Sequence, residues 1–496
     1  MPATGPFYRR HPDLLTAAHI RSSVEYERQH MIPDPIGLRD IKESATADVM
    51  EAIARRADDG RLPLRRTAVR WPKNFDPTSY RAVTHLDRLD QLAYRMQVGR
   101  CAAAVEAKLA STVLAHRFTF TDGAWASKGV LAGWRVRKDT LLPRFRANSA
   151  LWLATMDVRL YYPSLNNDTI IGALNSLGVG TAVVDDLVAF LSELQRLPGK
   201  VTGVPIGPEA SSVIGTIGLV SIDRIASGTD HFRLADDLWH VANTDTAATA
   251  WTETIRMQLS VLGLVDNPTK LKILTGDDAI AQITDIDLDY LTAGGPASLA
   301  AGLAMLRSGI DDQILGRIRF GLGAIARHSS RLGAPILLAN LSLLDVEPHA
   351  VAAHFRYAMP WLTPGERGTL IDHVLHAPGD HAIAGRLRTA HALATMSLGG
   401  SQADDLMAGA LLLTERKHQP LRHHMILAAC RGATPDRRIR AATDLAEATD
   451  DLDLRRTVAD LNRRASSRRE AKRAVAHLAR LDQELALLTR PLLATL

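Results

Sequence analysis

The stretch His231–Ala242, HFRLADDLWHVA, restricts what this chain can fold into more than any other. Apolar or aromatic residues at Phe232, Leu234, Leu238 and Val241 lead up to two adjacent acids, Asp236 and Asp237, and away from them. The pattern predicts a tight hairpin whose strands are half buried and whose turn carries both carboxylates. Two like charges side by side on a turn are unfavourable unless solvent or a cation neutralises them. Asp is also a common turn residue, so a solvated Asp-Asp turn accounts for the pair taken alone. The flanking sequence decides between the two.

Upstream, Leu151 to Met156 is a short continuous apolar run suited to a buried strand, and Asp157 stands at its end. A carboxylate at the carboxyl end of a buried strand is well placed for chemistry. Tyr162 and Pro163 follow, ahead of a helix predicted over 168–177. Gly199, Gly203 and Gly207, with Pro205 and Pro208, form a loop whose backbone can approach a ligand, and a helix is predicted from Glu209. After the hairpin a helix over 244–262 leads into LGLVDNPTKLKIL, in which Lys270 stands between a turn and a short strand. Before all of these, Lys73 and Arg81 lie among aromatics and prolines ahead of a helical stretch over 86–114. Arg contacts phosphate oxygens bidentately, although a solvated basic surface has the same composition.

Each signal is weak, but their order is specific. The series resembles the palm of reverse transcriptases, over roughly residues 60–280. DVRLYYPSL resembles motif A, GVPIGPEASSVIGTIGL motif B, RLADDLW the YxDD box of motif C, and LGLVDNPTKLKIL motif D; WPKNFDPTSYRAV resembles a fingers motif. The resemblance implies a DNA polymerase that joins dNTPs with two Mg²⁺ ions. Asp157, Asp236, Asp237 and Lys270 would be catalytic; Asp157, the Val158 carbonyl, Asp236 and Asp237 would ligate metal. Tyr162 falls at the steric gate against a 2′-hydroxyl, Lys73 and Arg81 match triphosphate-binding positions, and Pro205 and Gly207 lie in the loop that meets nucleotide and template. Two departures stand out: Leu234 replaces the usual aromatic, and Ile206 replaces the Gln of LPQG. The form GxPIGPExS is similar to bacterial abortive-infection and defence-associated reverse transcriptases. That implies antiphage defence and a homo-oligomer, with synthesis that is untemplated and primed from a protein hydroxyl such as that of Tyr8 or Tyr26. Copying of a dedicated non-coding RNA, and a non-catalytic nucleotide or nucleic-acid sensor that keeps the palm, remain alternatives.

The expected fold class is α+β, a fingers-palm domain followed by an all-α domain of HEAT-like repeats. The divisions fall at 1–60 (a helical arm, with a helix over 41–56), 61–290 and 291–496. Beyond Thr292, Ala and Leu dominate, and helical stretches are separated by Gly, Pro or Asp. A basic stretch from Arg455 to Arg480 is a candidate contact for RNA or single-stranded DNA. A net charge of +5 permits such a partner without demanding it. Cys101 and Cys430 lack the spacing of a disulfide scaffold or zinc site. No apolar run reaches membrane-spanning length, so the expected location is the cytoplasm, with no membrane partner.

Overall fold

A computed structural model describes residues 19–21, 23, 31–59, 62, 66–73, 75–76, 79–121, 124–197, 202–227, 230–284, 296–327, 331–432 and 435–496. Tyr8, Tyr26 and Gly199 lie outside the described residues. The described strands are β1 (Arg66–Pro72), β2 (Tyr80–Leu86), β3 (Phe118–Thr121), β4 (Ala124–Ser127), β5 (Trp152–Asp157), β6 (Asp230–Leu234), β7 (Asp237–Ala242) and β8 (Lys272–Thr275). β1 pairs with β2 and β3 with β4, each antiparallel. The other four form one antiparallel sheet in the order β6-β7-β5-β8.

Side chains alternate across β5 and β7, and both faces are covered. Leu153, Trp239 and Val241 pack with Leu141 and Phe145 of helix Val130–Ala147 and with Ala279 and Ile283 of helix Gly276–Thr284. Ala154, Met156 and Leu238 join the main core, on the side of helix Asp245–Val261. Each large apolar side chain so buried contributes roughly 1.5–3 kcal/mol. β5, the strand that ends in Asp157, is held between β7 and β8 and is one of the two interior strands of the sheet.

The carboxyl-terminal half is helical. Helices Pro348–Ala358, Ile383–Leu393, Gln419–Cys430 and Leu452–Leu461 pack each on the next as an inner layer, against an outer layer of Pro364–His376, Gly400–Leu412 and Asp436–Ala448. The inner layer is covered on both sides: every residue from Pro420 to Cys430 is buried. His423 and His424 are core residues, the first against Asp451 Oδ2 at 2.9 Å and the second against the Pro33 carbonyl at 3.0 Å.

The amino-terminal arm differs from expectation in two ways. Its helix is broken by Ser44, in extended conformation, into Arg39–Glu43 and Thr46–Asp58. It packs both on helix Arg88–Gly99 and on helix Gln483–Leu488 near the other end of the chain, within one continuous core. Buried ion pairs bind the seam. Arg56 donates to Asp87 and Asp90 at 2.8 Å each and pairs with Glu484. Arg88 donates to Asp34 at 3.1 Å, and Arg456 reaches Asp34, Asp40 and Asp453 at 3.1, 2.6 and 2.7 Å. Burial alone would raise the Asp453 carboxyl, but the hydrogen bond from His85 and the Arg456 charge hold it well below the usual range.

The seam also corrects the reading of the basic stretch. Arg455 and Arg456 are buried, and Arg463 is committed to Glu43 and Asp460, because their guanidinium groups neutralise carboxylates of the arm and its neighbours. Arg468, Arg469, Lys472 and Arg473 are exposed and keep the solvated-face character. Among the described residues, no helix is long and apolar enough to cross a membrane.

Candidate active site

The acidic hairpin is tighter than its sequence suggests. Leu234 pairs with Asp237, so the turn is Ala235–Asp236 and Asp237 opens β7. Ala235 adopts φ 55°, a left-handed conformation that a residue with a side chain holds only when its surroundings impose it. Arg233 imposes it. Its guanidinium is fully buried and donates to Asp223 Oδ1 and Oδ2 at 2.7 and 2.6 Å, to the Thr216 carbonyl at 3.0 Å and to the Ala235 carbonyl at 3.0 Å. Leu234 occupies its position for a packing reason: a Cβ placed on Gly133 would lie 2.9 Å from its Cδ2, so the helix above leaves little room for an aromatic ring.

Asp157 stands opposite Asp237 across the β5–β7 ladder. On its other flank, beyond the last β5–β8 pair, Lys270 Nζ donates to Asp157 Oδ2 at 2.7 Å and Asn267 Nδ2 to Oδ1 at 3.2 Å. The Val158 N–H donates to the Asp236 carbonyl at 3.3 Å, tying the turn to the end of β5. Burial, and then the charge on Asp157, push the Asp236 carboxyl up to about 6. Lys270, whose side chain is 57% exposed, partly offsets this.

Asp237 is engaged elsewhere. Arg137 Nη1 donates to Oδ2 at 2.7 Å, Trp239 Nε1 donates to Oδ1 at 2.9 Å, and the Arg137 guanidinium lies 3.6 Å from the Trp239 ring centroid. Among the described residues no group of three or more acidic, His or Cys side chains is arranged to hold a metal ion. What remains is the pair Asp157 and Asp236, whose repulsion a divalent cation would relieve. Enlisting Asp237 requires it to exchange Arg137 and Trp239 for the cation.

Tyr162 is packed beside this pair. A Cβ on Gly215 of helix Glu209–Gly218 would come within 2.9 Å of the Tyr162 ring, so Gly215 is what lets the ring approach the helix. Burial, and then Asp236, raise the Tyr162 hydroxyl above its ordinary pKa. The Gly/Pro loop is sewn to both neighbours: the Val204 N–H donates to the Tyr162 carbonyl at 2.9 Å, and the Ile206 carbonyl accepts from Thr84 N–H of β2 at 2.7 Å. Gly207, at φ 124°, passes so close that a Cβ would lie 3.0 Å from the Thr84 carbonyl. Pro205 is buried beside it. Arg81, on β2 and exposed, is near enough for its charge to act on Tyr162. Lys73 is exposed at the end of the β1–β2 hairpin, its N–H donating to the Ser79 carbonyl at 3.0 Å.

Four supporting residues escaped the sequence reading. Arg233 and Asp223 hold the turn, and Arg137 holds Asp237. Glu209 accepts from the Ser127 N–H at 2.8 Å and pairs with Arg95, which lies 4.1 Å from the Trp125 ring centroid, so it fastens the β3–β4 hairpin to the loop. An Arg or Glu in sequence looks solvated by default. The available signal was Arg233, a charge between Phe232 and Leu234 in a strand buried along both faces.

No family model matches the chain, and no curated protein matches it. Among solved structures it is similar to a structure of telomerase from Candida albicans in complex with a TWJ fragment of telomeric RNA, at 12% identity and a TM-score of 0.30, over 74% of this chain and 65% of that one. It is also similar to a structure described as an RdRp complex, at 12% identity and a TM-score of 0.33, over 92% of this chain and 47% of that one. The chain thus spans less than two thirds of the length of both, and both likenesses are distant.

Proposed function

We propose that this chain is a Mg²⁺-dependent nucleic-acid polymerase of the reverse-transcriptase type that joins dNTPs. One observation carries the reading. Asp157, Asp236 and Lys270 come from three separate stretches and meet at one end of the sheet, with the Tyr162 ring beside them. The order of motifs in the sequence calls for the same meeting.

Two divalent ions, when bound, would supply activation of a primer 3′-hydroxyl and charge neutralisation on the triphosphate. Asp157 and Asp236 would hold them. The hydroxyl oxygen would lose its proton to solvent and form a bond to the α-phosphorus while the bond to diphosphate breaks, and Lys270 would give a proton to that leaving group. Its exposed side chain is free to turn from Asp157 to the phosphates. The Tyr162 ring, backed by Gly215, would fill the volume a 2′-hydroxyl needs, which selects deoxynucleotides. Lys73 and Arg81 would meet the triphosphate from the β1–β2 hairpin.

The test is incorporation of each labelled dNTP by nuclease-treated protein in Mg²⁺, with and without RNA. Product that needs no template and stays attached to protein is the expected result for untemplated, protein-primed synthesis. Product that depends on a co-purifying or added RNA would select copying of an RNA template. Asp157→Asn should lose either activity, and Tyr162→Ala should admit ribonucleotides at least tenfold more readily. The same incorporation from wild type and Asp157→Asn would sink the proposal. The non-catalytic sensor draws on a specific feature, since Lys270 and Arg137 already occupy Asp157 and Asp237; nucleotide binding without any incorporation would select it.

The antiphage role rests on the GxPIGPExS form of the loop. Cells carrying the wild-type chain should yield fewer plaques than cells carrying Asp157→Asn, and equal yields would refute an enzymatic defence role.

A further inference from the structure

Away from the sheet, the arm and the inner helical layer enclose a cavity of about 340 Å³. Its walls are of two kinds. Pro33, Pro35, Ile36 and Leu427 are apolar, while Arg39, Lys42, Arg356 and Arg431 bring four cations to one space. We propose that this cavity binds an organic diphosphate of nucleotide size, with the cations on the phosphates and the apolar wall against the base. The site is separate from the polymerase reading and does not depend on it.

The charges are not explained by the protein alone. Arg39 is offset by Asp460 at 3.2 Å, and Asp34 points inward to Arg88 and Arg456. Arg356 and Arg431 lie at helix carboxyl ends, where a cation is ordinarily favourable, and Arg431 Nη1 caps the Ala394 carbonyl at 2.7 Å. Yet Lys42 and Arg356 have no carboxylate partner among the described residues, and both are exposed to the opening. Arg431 Nε and His391 Nδ1 are also buried without a hydrogen-bond partner among the described residues. Burial, then the charges of Arg464, Arg39 and Arg356, push the Arg431 guanidinium below its ordinary value. Like charges gathered around an open space are stabilised by an anion that enters it, and guanidinium matches phosphate bidentately. The volume falls within the range of ordinary small-molecule sites.

The experiment is calorimetric titration of ADP into the full chain in EDTA, where no divalent ion supports binding at Asp157 and Asp236. Saturable binding is expected, weakened at least tenfold by Lys42→Gln/Arg356→Gln. Thr395→Glu, which brings a carboxylate to an exposed position on the cavity wall, should weaken it by a similar factor. Inorganic diphosphate should bind at least tenfold more weakly than ADP, since it leaves the apolar wall unused. Diphosphate binding as tightly as ADP would overturn the nucleotide assignment. No saturable binding of either, or ADP binding that both cavity variants retain, would overturn the site. Loss of ADP binding in Asp236→Asn with retention in the cavity variants would do the same, by placing the nucleotide at the sheet.

Discussion

Asp236→Asn is expected to reduce nucleotide incorporation on the order of 10³-fold and, at the same time, to make the metal-free protein more stable at pH 8. The two effects have one origin. Burial and the neighbouring Asp157 raise the Asp236 carboxyl from 3.8 to about 6, so the folded state holds that proton more tightly than the unfolded chain does. The stabilisation is fully present below pH 3.8 and is lost as the pH rises through about 6, above which the ionised group works against folding. A displacement of that size is worth up to roughly 3 kcal/mol, and the partial exposure of the turn brings the expected figure nearer 1–2 kcal/mol. Asn removes the charge and with it this pH dependence. Mg²⁺ should raise the melting temperature of wild type and leave that of Asp236→Asn almost unchanged, because an ion that binds only the folded state stabilises it. Thermal melts between pH 4 and 8, with and without Mg²⁺, read all three quantities. A variant no more stable than wild type at pH 8, or one that keeps the full Mg²⁺ shift, would count against Asp236 as a strained cation ligand.

Arg233→Met should destabilise the fold by about 3–5 kcal/mol, since it leaves the buried Asp223 carboxylate without its guanidinium partner, facing the His231 ring at 3.4 Å. Burial would raise that carboxyl, and the Arg233 charge instead holds it below its ordinary value. Replacing both partners, as Arg233→Met/Asp223→Leu, should recover most of the lost stability, because an apolar pair of similar volume carries no unpaired charge. It should not recover incorporation, because the Ala235 carbonyl stays without the donor that fixes the left-handed turn under Asp236. Denaturant midpoints and incorporation rates separate the two roles. A single variant that loses less than about 1 kcal/mol would show that the pair is not structural, and full activity in the double variant would show that the turn holds itself.

The elements nearest the acids were legible in the sequence, and the reasons are local. An unbroken apolar run ending at Asp157 has few alternatives to a buried strand, and β5 covers 152–157. The alternation through Phe232 and Leu234 gave the hairpin, and the break before Lys270 gave β8. What was not legible depends on partners far along the chain. Nothing near Asp237 announces Arg137, a hundred residues earlier, so its capture by that side chain is invisible in the sequence, where Asp237 counts as a further metal ligand. Arg455 and Arg456 read as candidate nucleic-acid contacts for the same reason: the carboxylates that bury Arg456, Asp34 and Asp40, lie at the opposite end of the sequence. The β1–β2 hairpin is not legible because Arg, Thr and His interrupt its apolar residues, and the β3–β4 hairpin because each strand has four residues.

The seam between the arm and the last helices has a consequence for synthesis on the ribosome. Arg56 is 428 residues away from Glu484, and Arg456 is more than 400 residues away from Asp34 and Asp40. Until those distant residues emerge, the early part of the nascent chain carries cations and carboxylates that it cannot bury, so it has no complete core to commit to. The junction between the arm and the last helices is therefore closed only when translation is nearly over. A nascent chain stalled before Leu452 should leave the arm open to proteases and chaperones.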